Sequence, residues 1–239
     1  MNMVVDAGNT FIKVGVFKNK SLEKKEVFDS RDALKHFMLQ TPIEHLMISS
    51  VKWDASEIAS WSTATGLKLV FDSALSLPIQ NLYATPTTLG ADRLAAVCGA
   101  WQLFPNQDCL VIDIGTCINY EYITEAGAYH GGAISPGVKM RFEAMHHFTA
   151  RLPLAAPTET FPLSGTTTLS CLQSGVMNGV LEEIKGVIFR YKNQSPGIRV
   201  ILCGGDVHFF ENHLKPSIFV APDLVLMGLN SILLQNVTS

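Results

Sequence analysis

Eight residues near the start of the chain, Asp6-Ala7-Gly8-Asn9-Thr10-Phe11-Ile12-Lys13, combine a carboxylate, a glycine, two small hydrogen-bonding side chains and an ammonium group. Gly8 lets the backbone approach a ligand closely, and successive N–H groups around it can form an anion-binding nest. Asn9 and Thr10 can add side-chain contacts, and Lys13 adds a full positive charge. A carboxylate does not bind phosphate directly, because like charges repel. Asp6 can reach phosphate through Mg²⁺, which takes carboxylate, water and phosphate oxygens. The stretch reads as a nucleotide-phosphate loop. It also reads as an ordinary tight turn with Asp and Asn supplying turn chemistry, and so short a motif leaves both open.

A second stretch repeats the layout. Leu110-Val111-Ile112-Asp113-Ile114-Gly115-Thr116-Cys117-Ile118-Asn119-Tyr120-Glu121-Tyr122-Ile123 sets Asp-x-Gly-Thr between two apolar runs. Between the two copies lies Gly90-Ala91-Asp92-Arg93, followed by Leu94, Val97, Cys98 and Trp101 on one helical face. Asp92 and Arg93 therefore fall in the first turn of a helix, where the dipole favours a carboxylate. Asp92 could accept a hydroxyl proton there, and Arg93 could bind an anionic or carbonyl group. Equally, Asp92 could be a helix-start residue and Arg93 a surface partner. His146-His147 invites a metal reading, but adjacent residues do not share a helix face. Gly204-Gly205-Asp206 suits either an adenosine resting on backbone or a tight strand-to-helix turn.

The elements that must position these groups follow from the apolar pattern. Val4 to Phe17 and Leu110 to Ile123 each read as a β-hairpin with the polar motif at its turn. Lys18 to Ser21 turns into an edge strand near Glu26–Phe28, and Ser30 caps a helix carrying Leu34, Phe37 and Met38. His45 to Val51 and Leu67 to Phe71 are strands, with a short helix over Ala55 to Ala64 between them. Asn81 to Pro86 is a loop. Pro136-Gly137 starts a helix through Phe142, Met145 and Phe148, and Arg151 to Ser164 is a long loop. Gly165 to Thr168 opens a long amphipathic helix on which Gly175 and Gly179, four apart, could permit close helix contact. Ile198 to Cys203 is a strand, and Leu224 to Leu234 is a buried helix. Alternating strands and helices predict an α/β layer architecture.

Composition bounds the function. The 239 residues carry a net charge of -3 and are 47% hydrophobic, enough for a sizeable core and unsuited to a nucleic-acid or anionic-membrane surface. Cys98, Cys109, Cys117, Cys171 and Cys203 stand in apolar contexts without a Cys-x-x-Cys pair, as buried free thiols in a reducing cytosol would. No signal peptide or bilayer-length apolar run is evident, so a soluble, cytoplasmic protein is expected. Neither a Gly-x-x-x-x-Gly-Lys-Ser/Thr loop nor a Gly-x-Gly-x-x-Gly fingerprint nor a Gly-x-Ser-x-Gly elbow occurs.

Two related hairpins, one per half, resemble the duplicated domains of actin-like and sugar-kinase-like ATPases. Asp6 to Thr10, Gly90 to Arg93, Asp113 to Thr116 and Gly131-Gly132-Ala133-Ile134-Ser135-Pro136-Gly137 occur in the order seen in type III pantothenate kinases. That resemblance implies two actin-like (ribonuclease H-like) domains, 1–108 and 109–239, with ATP in the cleft between them. It implies phosphorylation of the primary hydroxyl of pantothenate by ATP, the first step towards coenzyme A, in a homodimer whose substrate pocket the partner completes. Asp6 through Lys13 and Thr116 would then bind ATP with Mg²⁺. Asp92 would be the base, and Tyr83, Gly90, Ala91, Asp92, Arg93 and Thr168 would hold pantothenate. Asp113 would ligate a monovalent cation, K⁺ or NH₄⁺. The family's second hairpin usually continues Ala-x-Thr-x-Asp, where this chain has Cys117, Asn119 and Glu121. The alternatives are a kinase for another small hydroxylated substrate and a non-catalytic accessory protein of the same fold. Assay with ATP and pantothenate separates the three.

Overall fold

The computed structural model describes residues 1–8, 11–215 and 218–237. The chain forms two compact units. The first comprises Met1–Asn106, Ile123–His130 and the chain from Asp223, and the second Gln107–Tyr122 and Gly131–Pro222. These units differ from the sequence halves 1–108 and 109–239, because a short turn and a late helix group with the first unit.

The first unit is built on β1 (Asn2–Ala7), β2 (Ile12–Lys18), β3 (Ser21–Phe28), β4 (His45–Ser50) and β5 (Lys68–Val70), in the sheet order β3-β2-β1-β4-β5. β1 and β2 form the expected antiparallel hairpin, with Asp6 opposite Lys13 and Ala7 opposite Ile12. β4 runs parallel to β1, and α1 (Arg31–Gln40) and α2 (Ala55–Ser60) connect the strands around it. Ser30 caps α1 through its hydroxyl, which accepts from the Ala33 N–H at 3.4 Å.

Strand alternation decides which way the hairpin residues point. Met3, Val5 and Ala7 pack with Leu34, Met38 and Ile58 of α1 and α2. Asn2, Val4 and Asp6 therefore face the other side. There the Asn2 amide donates to Asn230 Oδ1 at 3.2 Å.

Three more elements of this unit lie around the Gly90–Arg93 motif. They are β6 (Gln80–Asn81), a single 3-10 turn at Pro86–Thr88, and α3 (Ala91–Leu103). α3 is buried on nearly every side, from Arg93 through Ala100. This exceeds the single face read from Leu94, Val97, Cys98 and Trp101, because a late helix of the chain packs against it as well.

The second unit holds β7 (Cys109–Ile114), β8 (Cys117–Ile123), β9 (Ala128–Pro136), α4 (Val138–His147), α5 (Thr168–Gln194), β10 (Arg199–Cys203), α6 (Glu211–Leu214) and β11 (Phe219–Val220). Its strands follow the order β11-β10-β7-β8-β9. The first residues of β9 and the last of β8 belong to the first unit, where Gln80 and Asn81 pair parallel with Ala128 and Tyr129. Leu110, Ile112, Ile114, Ile118 and Tyr120 pack against Val176, Met177, Val180, Leu181 and Ile184 of α5, with Val138 and Phe142 of α4. The long stretch before α5 is a loop, as expected.

The last helix, α7 (Leu224–Val237), returns to the first unit. A Cβ on Gly228 would overlap the Ala95 carbonyl oxygen, and one on Gly99 would overlap the Leu224 carbonyl oxygen. Only glycine at these two places allows α3 and α7 to lie so close. The thiols are free, with Cys98, Cys109 and Cys203 buried. Cys117 is half-buried and Cys171 exposed, contrary to the expectation of five buried thiols, since Cys171 lies on the outward side of the first turn of α5.

Candidate active site

The strand period places Asp6 near the end of β1, on the side opposite α1 and α2. Burial pushes its carboxyl up to about 6; the Lys13 ammonium works against that rise and the Asp92 carboxylate adds to it. Asp6, its cross-strand partner Lys13 and Asp92 at the start of α3 thus share one electrostatic neighbourhood. Gly8 donates its N–H to the Phe11 carbonyl at 3.2 Å, closing the turn, and Phe11 is exposed. Ala7 and Ile12 are fully buried, so their side chains belong to the core and only their backbone can meet a ligand. Asn9 and Thr10 lie outside the described residues.

α3 begins at Gly90, whose extended backbone precedes the first turn and offers no side-chain cap. Asp92 is exposed, and its Oδ1 accepts from the Arg93 N–H at 2.9 Å. A Cβ on Gly90 would lie 2.6 Å from Asp92 Oδ1, so a bare residue at 90 gives the carboxylate its place. Arg93 is only 8% exposed, which removes the surface-partner reading. Its Nη2 donates to the Tyr129 hydroxyl at 3.4 Å, and its guanidinium lies 5.6 Å from the centroid of the Tyr83 ring. The Tyr83 and Tyr129 rings stack, 6.3 Å apart and 10° from parallel. Tyr83, Gly90, Ala91, Asp92 and Arg93 are therefore brought to one place. Tyr129 was not marked by any motif.

The second unit carries the other hairpin motif. Asp113 is half-buried on β7, level with Cys203 of β10. Gly204 has φ +100, and a Cβ there would overlap both Asp113 Oδ1 and the Ile114 carbonyl oxygen. Gly204-Gly205-Asp206 thus turns tightly beside Asp113, and Asp206 donates its N–H to the Ile114 carbonyl at 3.0 Å. Thr116 is exposed at the hairpin turn, and Gly137 donates its N–H to the Thr116 carbonyl at 3.1 Å. Thr168 is exposed in the first turn of α5. The cap itself is Thr167, in a reciprocal box with Ser170. Glu121 is 1% exposed. His146 bonds the Leu152 carbonyl at 2.7 Å, and no cluster of three or more metal-binding side chains occurs among the described residues. No helix of the described residues is long and apolar enough to cross a membrane.

The architecture has clear relatives among solved structures. A Campylobacter jejuni protein described as a candidate Baf family transcriptional activator aligns with TM-score 0.66 at 20% identity, over 99% of this chain and 100% of that one. A candidate 2-dehydro-3-deoxygalactonokinase of Sinorhizobium meliloti aligns with TM-score 0.55 at 11% identity, over 97% and 98%. Such identities show the fold alone, which is the two-domain α/β architecture of actin-like kinases and ATPases. Sequence narrows this further. The profile of the type III pantothenate kinase family matches residues 2–190. Relatives named type III pantothenate kinase from Christiangramia forsetii and Cytophaga hutchinsonii are 43% and 41% identical, over 100% and 99% of this chain and 100% of each relative. The chain belongs to the type III pantothenate kinase family.

Proposed function

We propose that the first unit's motifs carry out the reaction of this family, with Asp92 as the general base. The chain is an ATP-dependent kinase that phosphorylates the primary hydroxyl of pantothenate to 4'-phosphopantothenate, the step that opens coenzyme A synthesis. The observation that carries the assignment of roles is that the Asp92 carboxylate lies near enough to Asp6 to add to the rise of its carboxyl. A candidate phosphate-side anion and a candidate base stand within electrostatic reach inside one unit.

Phosphoryl transfer needs positioning and charge neutralisation more than covalent chemistry. Asp92 accepts the hydroxyl proton, the hydroxyl oxygen bonds to the γ-phosphorus, and ADP leaves. The Arg93 N–H holds Asp92 Oδ1 in place. Arg93, Tyr83, Gly90 and Ala91 fix pantothenate, and Thr168 adds a contact from the long helix. The turn from Asp6 to Lys13, with Thr116, holds the nucleotide phosphates.

Asp6 fits a divalent cation, because its carboxyl is held well above its ordinary value by burial and a cation would relieve that cost. Bound there, Mg²⁺ would neutralise phosphate charge. Asp113, half-buried on β7 with the Gly204 backbone packed beside it, would supply a carboxylate oxygen to a monovalent cation. The homodimer is supported by apolar side chains left open on the second unit. Phe148 and Leu163 are 82% and 86% exposed, and, apart from adjoining residues of the helix itself, no described residue lies within 4 Å of a Cβ built on Gly175, Gly179 or Gly186 of α5.

The test is Asp92→Asn. It keeps size and helix-start preference but removes basicity. Turnover should fall by about 10²–10⁴ while calorimetric pantothenate binding survives. Unchanged turnover would reduce Asp92 to a helix-start residue.

A further inference from the structure

We propose that Tyr129 is a positioning residue for pantothenate, holding the Arg93 guanidinium and the Tyr83 ring in register; this rests on the substrate-binding reading of Arg93 and Tyr83.

Three observations converge on Tyr129. The first is burial. Its side chain is fully buried, and a buried phenol hydroxyl needs a hydrogen-bond partner. The Arg93 Nη2 supplies one at 3.4 Å. Arg93 is itself buried, and a buried cation is costly unless its donors are engaged. The hydroxyl therefore does for the guanidinium what water would do at the surface, and it fixes the plane of the fork that must meet the substrate.

The second is the ring. Tyr83 lies between two neighbours that set its plane. Tyr129 stacks against it at 10°, and the Arg93 guanidinium lies 5.6 Å from its centroid. A stacked ring and a nearby cation both attract the face of an aromatic ring. Together they select one orientation of a half-buried side chain.

The third is the backbone. Tyr83 stands on the loop that follows β6. That loop is fastened at Tyr129, because Asn81 pairs with Tyr129 and the Leu82 N–H donates to the Tyr129 carbonyl at 2.8 Å. Asn81 Oδ1 then accepts from the Tyr83 N–H at 3.1 Å. Behind Tyr129, Gly127 adopts φ +75 and closes the turn that leads into β9. One residue thus governs the guanidinium through its hydroxyl, the aromatic wall through its ring, and the loop through its backbone.

Tyr129→Phe separates these functions, since it keeps the ring and the backbone and removes only the hydroxyl. The full-length enzyme is assayed with pantothenate and ATP varied in turn. Pantothenate KM should rise about 3- to 10-fold, the span of one ordinary hydrogen bond, with ATP KM unchanged and thermal unfolding shifted by no more than a few degrees. Tyr129→Leu, which also removes the stack, should raise pantothenate KM further. Arg93→Ala distinguishes the two levels of the reading. If Arg93→Ala leaves pantothenate KM unchanged, the substrate-binding reading itself fails. If Arg93→Ala raises it and Tyr129→Phe does not, or Tyr129→Phe raises both KM values alike, the positioning role is overturned. In the double variant, the Tyr129→Phe effect should vanish, since the group it positions is gone. Full additivity would also overturn the proposal.

Discussion

Asp6 is held in a state that costs the protein stability. Burial pushes its carboxyl up to about 6 in the fold, from an ordinary value of 3.8. Between these values the folded state binds more protons than the unfolded one, so stability falls as pH rises through that window and stays reduced above it. The penalty is up to about 3 kcal/mol at neutral pH. Asp6→Asn should therefore raise the unfolding temperature of the ligand-free protein at pH 8, and the advantage should shrink as the pH falls from about 6 to about 4. Turnover should collapse in the same variant. A variant equally stable at both pH values, relative to wild type, would show that the carboxyl is not desolvated. At this scale the sequence was partly legible. The types and spacing of Asp6, Lys13, Asp92 and Arg93 marked them without coordinates. The contacts that Arg93 makes with Tyr83 and Tyr129 were not legible. Tyr129 lies 36 positions further on, and nothing in its local spacing sets it apart.

Both motif hairpins form as the alternation of apolar residues required, and the helices over 31–40, 91–103, 168–194 and 224–237 fall where helical spacing placed them. The two-residue strands β6 and β11 and the four-residue α6 were not legible, since such short pieces have no period and exist only through tertiary contact. The close approach of α3 and α7 was equally hidden, although it rests on two glycines. Gly228→Ala should cost about 1–3 kcal/mol by overpacking, read as a lower urea midpoint. Because α3 carries the Gly90–Arg93 motif, pantothenate affinity should weaken as well. A neutral outcome would mean that α7 can slide away without consequence. The second hairpin supports a separate expectation. If Asp113 holds a monovalent cation, replacing Na⁺ by K⁺ or NH₄⁺ at constant ionic strength should raise activity, and Asp113→Asn should abolish the response. A flat response in wild type would remove the site.

At the level of the whole molecule, the chain forms two units whose segments interleave along the sequence, rather than the two consecutive halves expected from the repeated motif. Repetition of Asp-x-Gly-Thr pointed to two halves, but not to the return of α7, which depends on packing between distant segments. The exposed apolar residues of the second unit argue for association in solution. Light scattering should give twice the mass of the 26.1 kDa chain. Phe189, which is 64% exposed on α5, offers a probe: Phe189→Glu should shift the mass towards one chain and lower pantothenate turnover. A monomeric wild type with full activity would sink the dimer reading. The path of the chain has one further consequence, for biosynthesis. Domains emerging from the ribosome tend to fold in order, N-terminal first. Here the helix bearing Asp92 lacks its backing until the entire second unit has been translated and α7 follows it out. A nascent chain carries every residue of the first unit's motifs long before it can lock them in place, so ATP meets a working kinase only after synthesis has passed the second unit.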